Sequence, residues 1–369
     1  MIRLKNSAAR IIAGITAFIS VALVLAFFSS ETVELIGRVT LMSVKSYLPV
    51  NDVETDKEDT KQAVVKPDEK ITAKQATGTA DTLAETDNDI KKLMSGAEKI
   101  FSKEKKGGAI TEYTFTTDGV TDSFENVRVK NTNKTKISIE KKLGEKLDLS
   151  VSKKEPAVLI YHTHTTETYQ IINRDFYAKD FAPRSGNNNI NMVRVGKAIC
   201  EEIEKRGYKV IHDTAIYDKT YSGAYYRSED AAKAWLEKHP SIKITLDIHR
   251  DAIQSGTVKT KAVATINGKK AAQIMIVTGC QEEGNGITDL PNWEKNLSFA
   301  LKLQQNMESS FKGLTRPVFF CDRSYNMGLT PLSLLVEIGT DANTLDEAVY
   351  SGKMFGVALA QILEEYEEK

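Results

Sequence analysis

Five histidines occur in this 369-residue chain, and two of them stand beside carboxylates in a pattern that could do chemistry. His164 and Glu167 form an H-x-x-E pair within Tyr161-His162-Thr163-His164-Thr165-Thr166-Glu167. His249 follows Asp247 in Leu246-Asp247-Ile248-His249-Arg250-Asp251, and Glu337 interrupts the apolar run Leu334-Leu335-Val336-Glu337-Ile338. Two imidazoles and a carboxylate are a usual ligand set for a catalytic Zn2+, which keeps its fourth position for water. His164, Glu167 and His249 are therefore the candidate metal ligands. Glu337 is the candidate catalytic residue, taking a proton from water and passing it to a leaving amine.

Other residues compete for, or support, these roles. His162 lies two residues from His164, on the same face if the strand continues, and is the rival ligand. Asp247 shares a face with His249 and could orient its imidazole. Arg250 points the opposite way in a continuing strand; where the strand has ended it could reach a substrate carboxylate. His239, at a helix end before Pro240, and His212, at a strand end, read as structural. Cys200, Cys280 and Cys321 read as buried thiols: an odd number, widely spaced, makes neither a disulfide framework nor a CxxC clip. A short H-x-x-E recurs by chance, and a single His or Glu in a strand is usually structural. The conjunction of all of them at strand ends carries the argument.

The elements that must position these residues alternate along the second half of the chain. Strand-like apolar runs at 157–162, 208–212, 242–249, 317–321 and 332–338 are separated by amphipathic helical stretches. Met192, Val195, Ile199 and Ile203 keep helical spacing up to Gly207. Ser228 is placed to cap a helix ending before Pro240, and a long helix is expected over 291–311. Thr344-x-x-Glu347 opens the last helix as a capping box. The runs 261–266 and 271–278, joined by Asn267-Gly268, read as a hairpin. The pattern is that of an α/β fold with a mainly parallel central sheet flanked by helices. In such sheets ligands bind beyond the carboxyl ends of the strands, where His164, His249 and Glu337 fall.

Composition frames the rest. Lys plus Arg and Asp plus Glu each number 50, giving no net charge, which argues against a partner bound through phosphate neutralisation: no nucleic acid is expected. Twenty uncharged residues separate Arg10 from Glu31, long enough as a helix to cross a bilayer. No small-x-small cleavage site follows the run, so it reads as an uncleaved anchor. Arg3, Lys5 and Arg10 before it put the N-terminus in the cytoplasm and the remainder outside, on a single-pass cell-membrane protein. No aromatic occurs between Tyr47 and Phe101, and that charged stretch reads as a flexible tether ending in a weakly helical patch around Ile90–Ala97. The expected organisation is thus an anchor over 1–31, a juxtamembrane segment and tether over 32–104, a short-strand lead-in over 105–150 and a catalytic metallohydrolase domain over 151–369.

Five blocks of the chain resemble the stage II sporulation protein P family. They are Val158 to Tyr169, Asn191 to Gly196, Asp247 to Ala252, Tyr325-Asn326, and Leu335 to Gly339 with Asn343-Thr344. The resemblance implies a membrane-anchored, zinc-dependent N-acetylmuramoyl-L-alanine amidase with possible peptide-bridge endopeptidase activity. It implies action on peptidoglycan during forespore engulfment at the septal membrane, beside the partner sporulation proteins D and M. His249 and Glu337 match the metal ligand and late-strand catalytic acid of zinc amidases. The carboxylate ligand departs from that pattern, since those enzymes draw it from the next helix start, occupied here by Asn191; Glu167 takes its place by analogy with metallocarboxypeptidases. Two other readings stand beside this one: a catalytically inactive wall-binding scaffold that recruits other hydrolases, and a metallocarboxypeptidase acting on wall peptides with Arg250 as carboxylate anchor.

Overall fold

Apolar runs bounded by turn residues become the strands of one large sheet. In the computed structural model, residues 83–368 are described. The expected anchor and most of the expected tether lie outside the described residues, among which no helix is long and apolar enough to cross a membrane. Strands β2 (Asp122–Phe124), β3 (Val127–Asn131), β4 (Pro156–Tyr161), β6 (Lys209–His212), β7 (Ile244–Asp251), β11 (Ile274–Gly279), β12 (Val318–Cys321) and β13 (Leu332–Thr340) form an eight-stranded sheet in the order β2-β3-β12-β11-β13-β7-β4-β6. β6, β4, β7 and β13 run parallel, as expected for strands buried on both faces. The direction then reverses: β11 is antiparallel to β13, β12 and β3 are parallel to β11, and β2 turns back on β3. The sheet is therefore mixed.

Cross-strand partners share a face, and the register links distant segments into rows. One row runs Tyr161–Asp247–Leu335–Val277–Phe319–Lys130 across six strands, and a second runs His249–Glu337–Met275. Helix α4 (Ala224–Lys238) packs on that face, burying Ala232 against Leu159 and Tyr161. The opposite face carries α3 (Met192–Glu204), α5 (Trp293–Ser310) and α6 (Leu345–Glu365), α6 packing against both others. Trp293 of α5 stacks on Phe320, whose neighbours on either side point to the cleft face. The Thr344 and Glu347 capping box opens α6 as expected. Ser228 does not cap its helix. That helix starts four residues earlier, after Gly223 at φ 78°, and the Ser228 hydroxyl turns back to Tyr225 O at 3.0 Å.

A second sheet was not expected. It takes β1 (Lys106–Tyr113), β5 (Phe176–Ala178), β9 (Val258–Ile266) and β10 (Lys269–Ala272) in the order β10-β9-β1-β5, with β8 (Gln254–Ser255) beside β9. The hairpin at Asn267-Gly268 forms, both residues taking positive φ. The run 271–278, however, is divided between sheets at Gln273, because β11 leaves to pair with β13. The strands expected as a lead-in are woven into both sheets. The helical patch at the tether's end forms α1 (Asn88–Ile100), which buries Ile90. Just before it, Asp87 is held by Arg194 and by Lys353 at 2.6 Å.

Gln273 explains how the division is held. Its buried amide accepts from Phe115 N at 2.7 Å and donates to Phe115 O and Gly313 O at 2.9 and 3.0 Å. Truncation leaves three backbone groups without partners, each costing about 1 kcal/mol or more. Gln273→Ala should therefore lower unfolding free energy by about 3 kcal/mol or more, read from urea denaturation. An unchanged midpoint would refute this account of the junction.

Candidate active site

β4 ends at Tyr161, and after His162 the chain turns through residues 163–166. That turn breaks the alternation that would have kept His162 and His164 on one face. His162 faces α3: its Nδ1 lies 2.9 Å from Ile248 O and its Nε2 2.9 Å from His212 Nε2. Gly196 of α3 makes the room, since a Cβ there would sit 2.6 Å from His162 Nε2 and 2.5 Å from His212 Nε2. Burial, the first cause for both rings, takes His162 down to about 4 and His212 to about 3. With both nitrogens engaged away from the cleft, His162 is not placed to serve as the rival ligand.

The same turn carries His164 and Glu167 into a cleft of about 630 Å³ whose walls also include His249, Arg250 and Glu337. Asp247 fixes the turn: its carboxylate accepts from Thr163 N at 2.8 Å and from Thr163 Oγ1 at 2.6 Å. Asp218 does the same one step later, accepting from Thr166 N at 3.1 Å and Thr166 Oγ1 at 2.6 Å, and pairing with Arg184. Arg250 serves neighbouring backbone. Its guanidinium donates to Thr168 O at 3.0 Å and Pro183 O at 2.9 Å, and it is only 7% exposed. It borders the cleft, but those donors are spent on stapling the loop instead of standing free for a substrate carboxylate.

The imidazoles of His164 and His249 meet edge to face, centroids 5.3 Å apart. His249 Nδ1 lies 3.7 Å from Glu167 Oε2, while its Nε2 lies 2.8 Å from Asp247 Oδ1. The latter contact is a close charge pair, too oblique to count as a hydrogen bond. Burial pulls the His249 pKa down, but Asp247, then Glu167 and Glu337, outweigh it and raise it to about 9. Asp247 is correspondingly lowered against the effect of its own burial. His164 goes the other way, to about 4, through burial and then the neighbouring His249 and Arg184 charges. Three tyrosines to which the sequence reading gave no role in the site line up beside these rings. Tyr221 stacks on His164 at 4.8 Å, Tyr225 stacks on His249 at 6.3 Å, and Tyr325 stacks on Tyr225 at 5.5 Å. Tyr225 reaches the cleft only because α4 begins early, a shift no spacing in the sequence signals.

His164, Glu167 and His249 suit zinc in donor type, and His164 Nδ1 is buried without a hydrogen-bond partner. The 3.7 Å between His249 Nδ1 and Glu167 Oε2 is within the span of two metal bonds of about 2.0–2.2 Å. As placed, the set is open: among the described residues no group of three or more His, Cys, Asp or Glu side chains stands close enough to hold a metal ion.

Glu337 lies in register beside His249, and its Oε2 has no hydrogen-bond partner. Burial raises its pKa from 4.5 to about 8, despite the His249 charge. A carboxyl group whose folded pKa exceeds its unfolded one binds its proton more tightly when folded. It therefore costs stability progressively as pH rises from about 4.5 to about 8. Glu337→Gln removes that cost. In chelator-treated protein the variant should match the parent below about pH 4.5 and exceed it by about 4 kcal/mol at pH 8. Urea midpoints across that range test this, and a variant less stable at pH 8 would refute it.

Known proteins bear on this chain in two ways. The solved N-acetylmuramoyl-L-alanine amidase AmiC2 of Nostoc punctiforme is 12% identical, with TM-score 0.33 over 59% of this chain and 98% of that one. The CwlD amidase of Clostridioides difficile, solved in complex with the GerS lipoprotein, is 14% identical, with TM-score 0.35 over 57% and 98%. Stage II sporulation protein P of Bacillus subtilis (strain 168) is 30% identical over 202 residues, 52% of this chain and 47% of that one. The chain thus spans about half the length of the curated relative it matches. A family model described as Stage II sporulation protein P matches residues 25–363, and the chain belongs to that family.

Proposed function

We propose that this protein is a zinc-dependent peptidoglycan hydrolase, cleaving the amide bond between N-acetylmuramic acid and L-alanine during sporulation engulfment. In this reading residues 11–30 anchor it in the cell membrane with the catalytic domain outside the cytoplasm. Sporulation proteins D and M are its partners, and cross-bridge cleavage is a possible second activity. The observation that carries the reading is the meeting, in one cleft, of His164, Glu167 and His249 with Glu337, whose buried Oε2 has no hydrogen-bond partner.

His164, Glu167 and His249 would hold the metal. A bound zinc supplies a Lewis acid for the scissile carbonyl and makes water a nucleophile near neutral pH. The protein's own groups do the remainder. Glu337, with a pKa near operating pH, accepts the proton of the attacking water and returns it to the amide nitrogen as the carbon–nitrogen bond breaks. Asp247 keeps His249 in place, and the threonine turn keeps His164 and Glu167 facing it. The engagement of Arg250 with Thr168 and Pro183 weighs against the carboxypeptidase alternative, which needs that guanidinium free.

Digestion of purified peptidoglycan, with and without chelator, tests the reading. The expected products are free lactyl carboxyl groups and new L-alanine amino termini, both lost with chelator. Release of free amino acids would indicate the carboxypeptidase alternative, and chelator-insensitive wall binding without products the scaffold. His249→Ala should lose zinc and digestion together; full zinc stoichiometry in that variant would remove it from the ligand set. Glu337→Gln should keep zinc and lose about 10²–10⁴ in rate, the usual worth of a general acid–base.

A further inference from the structure

The cleft extends well beyond the catalytic cluster. Leu335, Val277, Phe319 and Lys130 are successive partners across β13, β11, β12 and β3, and all four line it. They form a trough perpendicular to the strands, with an apolar floor and a basic end. Lys130 is exposed, its Nζ lies 5.4 Å over the Phe319 ring, and it has no carboxylate partner among the described residues. The other charges at that end are already engaged. Arg316 pairs with Asp251 at 2.8 Å and lies over Phe115, while Asp118 accepts from Tyr113 Oη at 2.7 Å and Thr116 N at 3.1 Å.

We infer that this trough holds the peptide side of the substrate as an extended chain, with a carboxylate near the second or third residue paired to Lys130. The inference rests on the amidase reading for the position of the scissile bond at Glu337. Length supports it. Three strand spacings of about 4.8 Å separate β13 from β3, and Lys130 leans back by one of them, so its charge stands about 10 Å from the Glu337 strand. An extended peptide covers that distance in about three residues. A peptide is the better match to this floor than a sugar. The trough offers aliphatic and aromatic side chains, Tyr325 among those packed on its floor, with one free cation at its end, whereas Tyr221 and Tyr225 lie against the histidines.

The test uses the full chain in detergent micelles carrying Glu337→Gln. The probe is N-acetyl-L-Ala-γ-D-Glu-L-Lys labelled with fluorescein on the lysine, with the glutamate α-carboxylate either free or amidated. Anisotropy should show the free acid binding about tenfold more tightly than the amide, the effect of one partly desolvated ion pair. Lys130→Met, which keeps the aliphatic stem on an exposed site, should bring the acid down to the amide's affinity and leave the amide unchanged. Equal binding of acid and amide by the parent, or equal loss of both in Lys130→Met, would overturn the proposal. So would displacement of the probe by peptide-free glycan strands in a Lys130-dependent manner. Wall digestion by the unsubstituted chain is scored separately. Carboxylate-dependent binding without digestion leaves the trough standing and removes the amidase reading; digestion without Lys130-dependent binding does the reverse.

Discussion

The register that sets Glu337 beside His249, one row above Asp247 and Leu335, is the constraint on which the site depends. It brings a cationic imidazole between two carboxyl groups where burial penalises every unpaired charge. His249 is compensated by Asp247, and Asp247 in turn by the Thr163 backbone and hydroxyl. Glu337 is the group left without a hydrogen bond on one oxygen, so its proton affinity rises. A sheet of buried aliphatic strands supplies the stability that tolerates such a group. Val336 and Ile338, on either side of Glu337, are fully buried on the opposite face.

Threonines explain why the turn after β4 is reliable enough to present two side chains. Thr163, Thr165 and Thr166 each bind a fixed acceptor: Asp247, Ala215 O and Asp218 respectively. These bonds tie the turn to β7 and to the segment after β6, so His164 and Glu167 are positioned by two other parts of the chain. Arg250 adds a third tie through Thr168 and Pro183. Such supporting contacts keep reactive side chains in place with little rotamer freedom.

Much of this was legible in the residues, and the failures have physical causes. Strong periodicity located β4, β7, β13, α3 and the capping box of α6, and the unusual placing of Glu337 in an apolar strand pointed to a buried acid. Alternation failed between His162 and His164 because it applies only while the strand lasts, and β4 stops at Tyr161. Arg250 looked available because its side chain was judged from its own strand alone; its carbonyl partners come from the loops around Thr168 and Pro183. Tyr225 and Lys130 carry no local signal. One depends on where α4 begins and the other on which strands become neighbours, both decided by tertiary packing.

The change of strand direction at β11 is what leaves the trough open. Parallel neighbours need crossover connections, and each crossover helix covers a face of the sheet. The parallel half uses both faces, with α3 on one and α4 on the other. In the other half the β11-to-β12 crossover, α5, lies on the same side as α3 and α6. Met275, Val277 and Phe319 therefore keep a face that α4 does not reach, and the row beginning under α4 at Tyr161 emerges into the cleft beyond Leu335. A wholly parallel sheet of this order would have given the same strand-end cluster of His164, His249 and Glu337. The antiparallel step adds the surface beside it, so the polarity of the sheet sets the length of chain that the site can recognise.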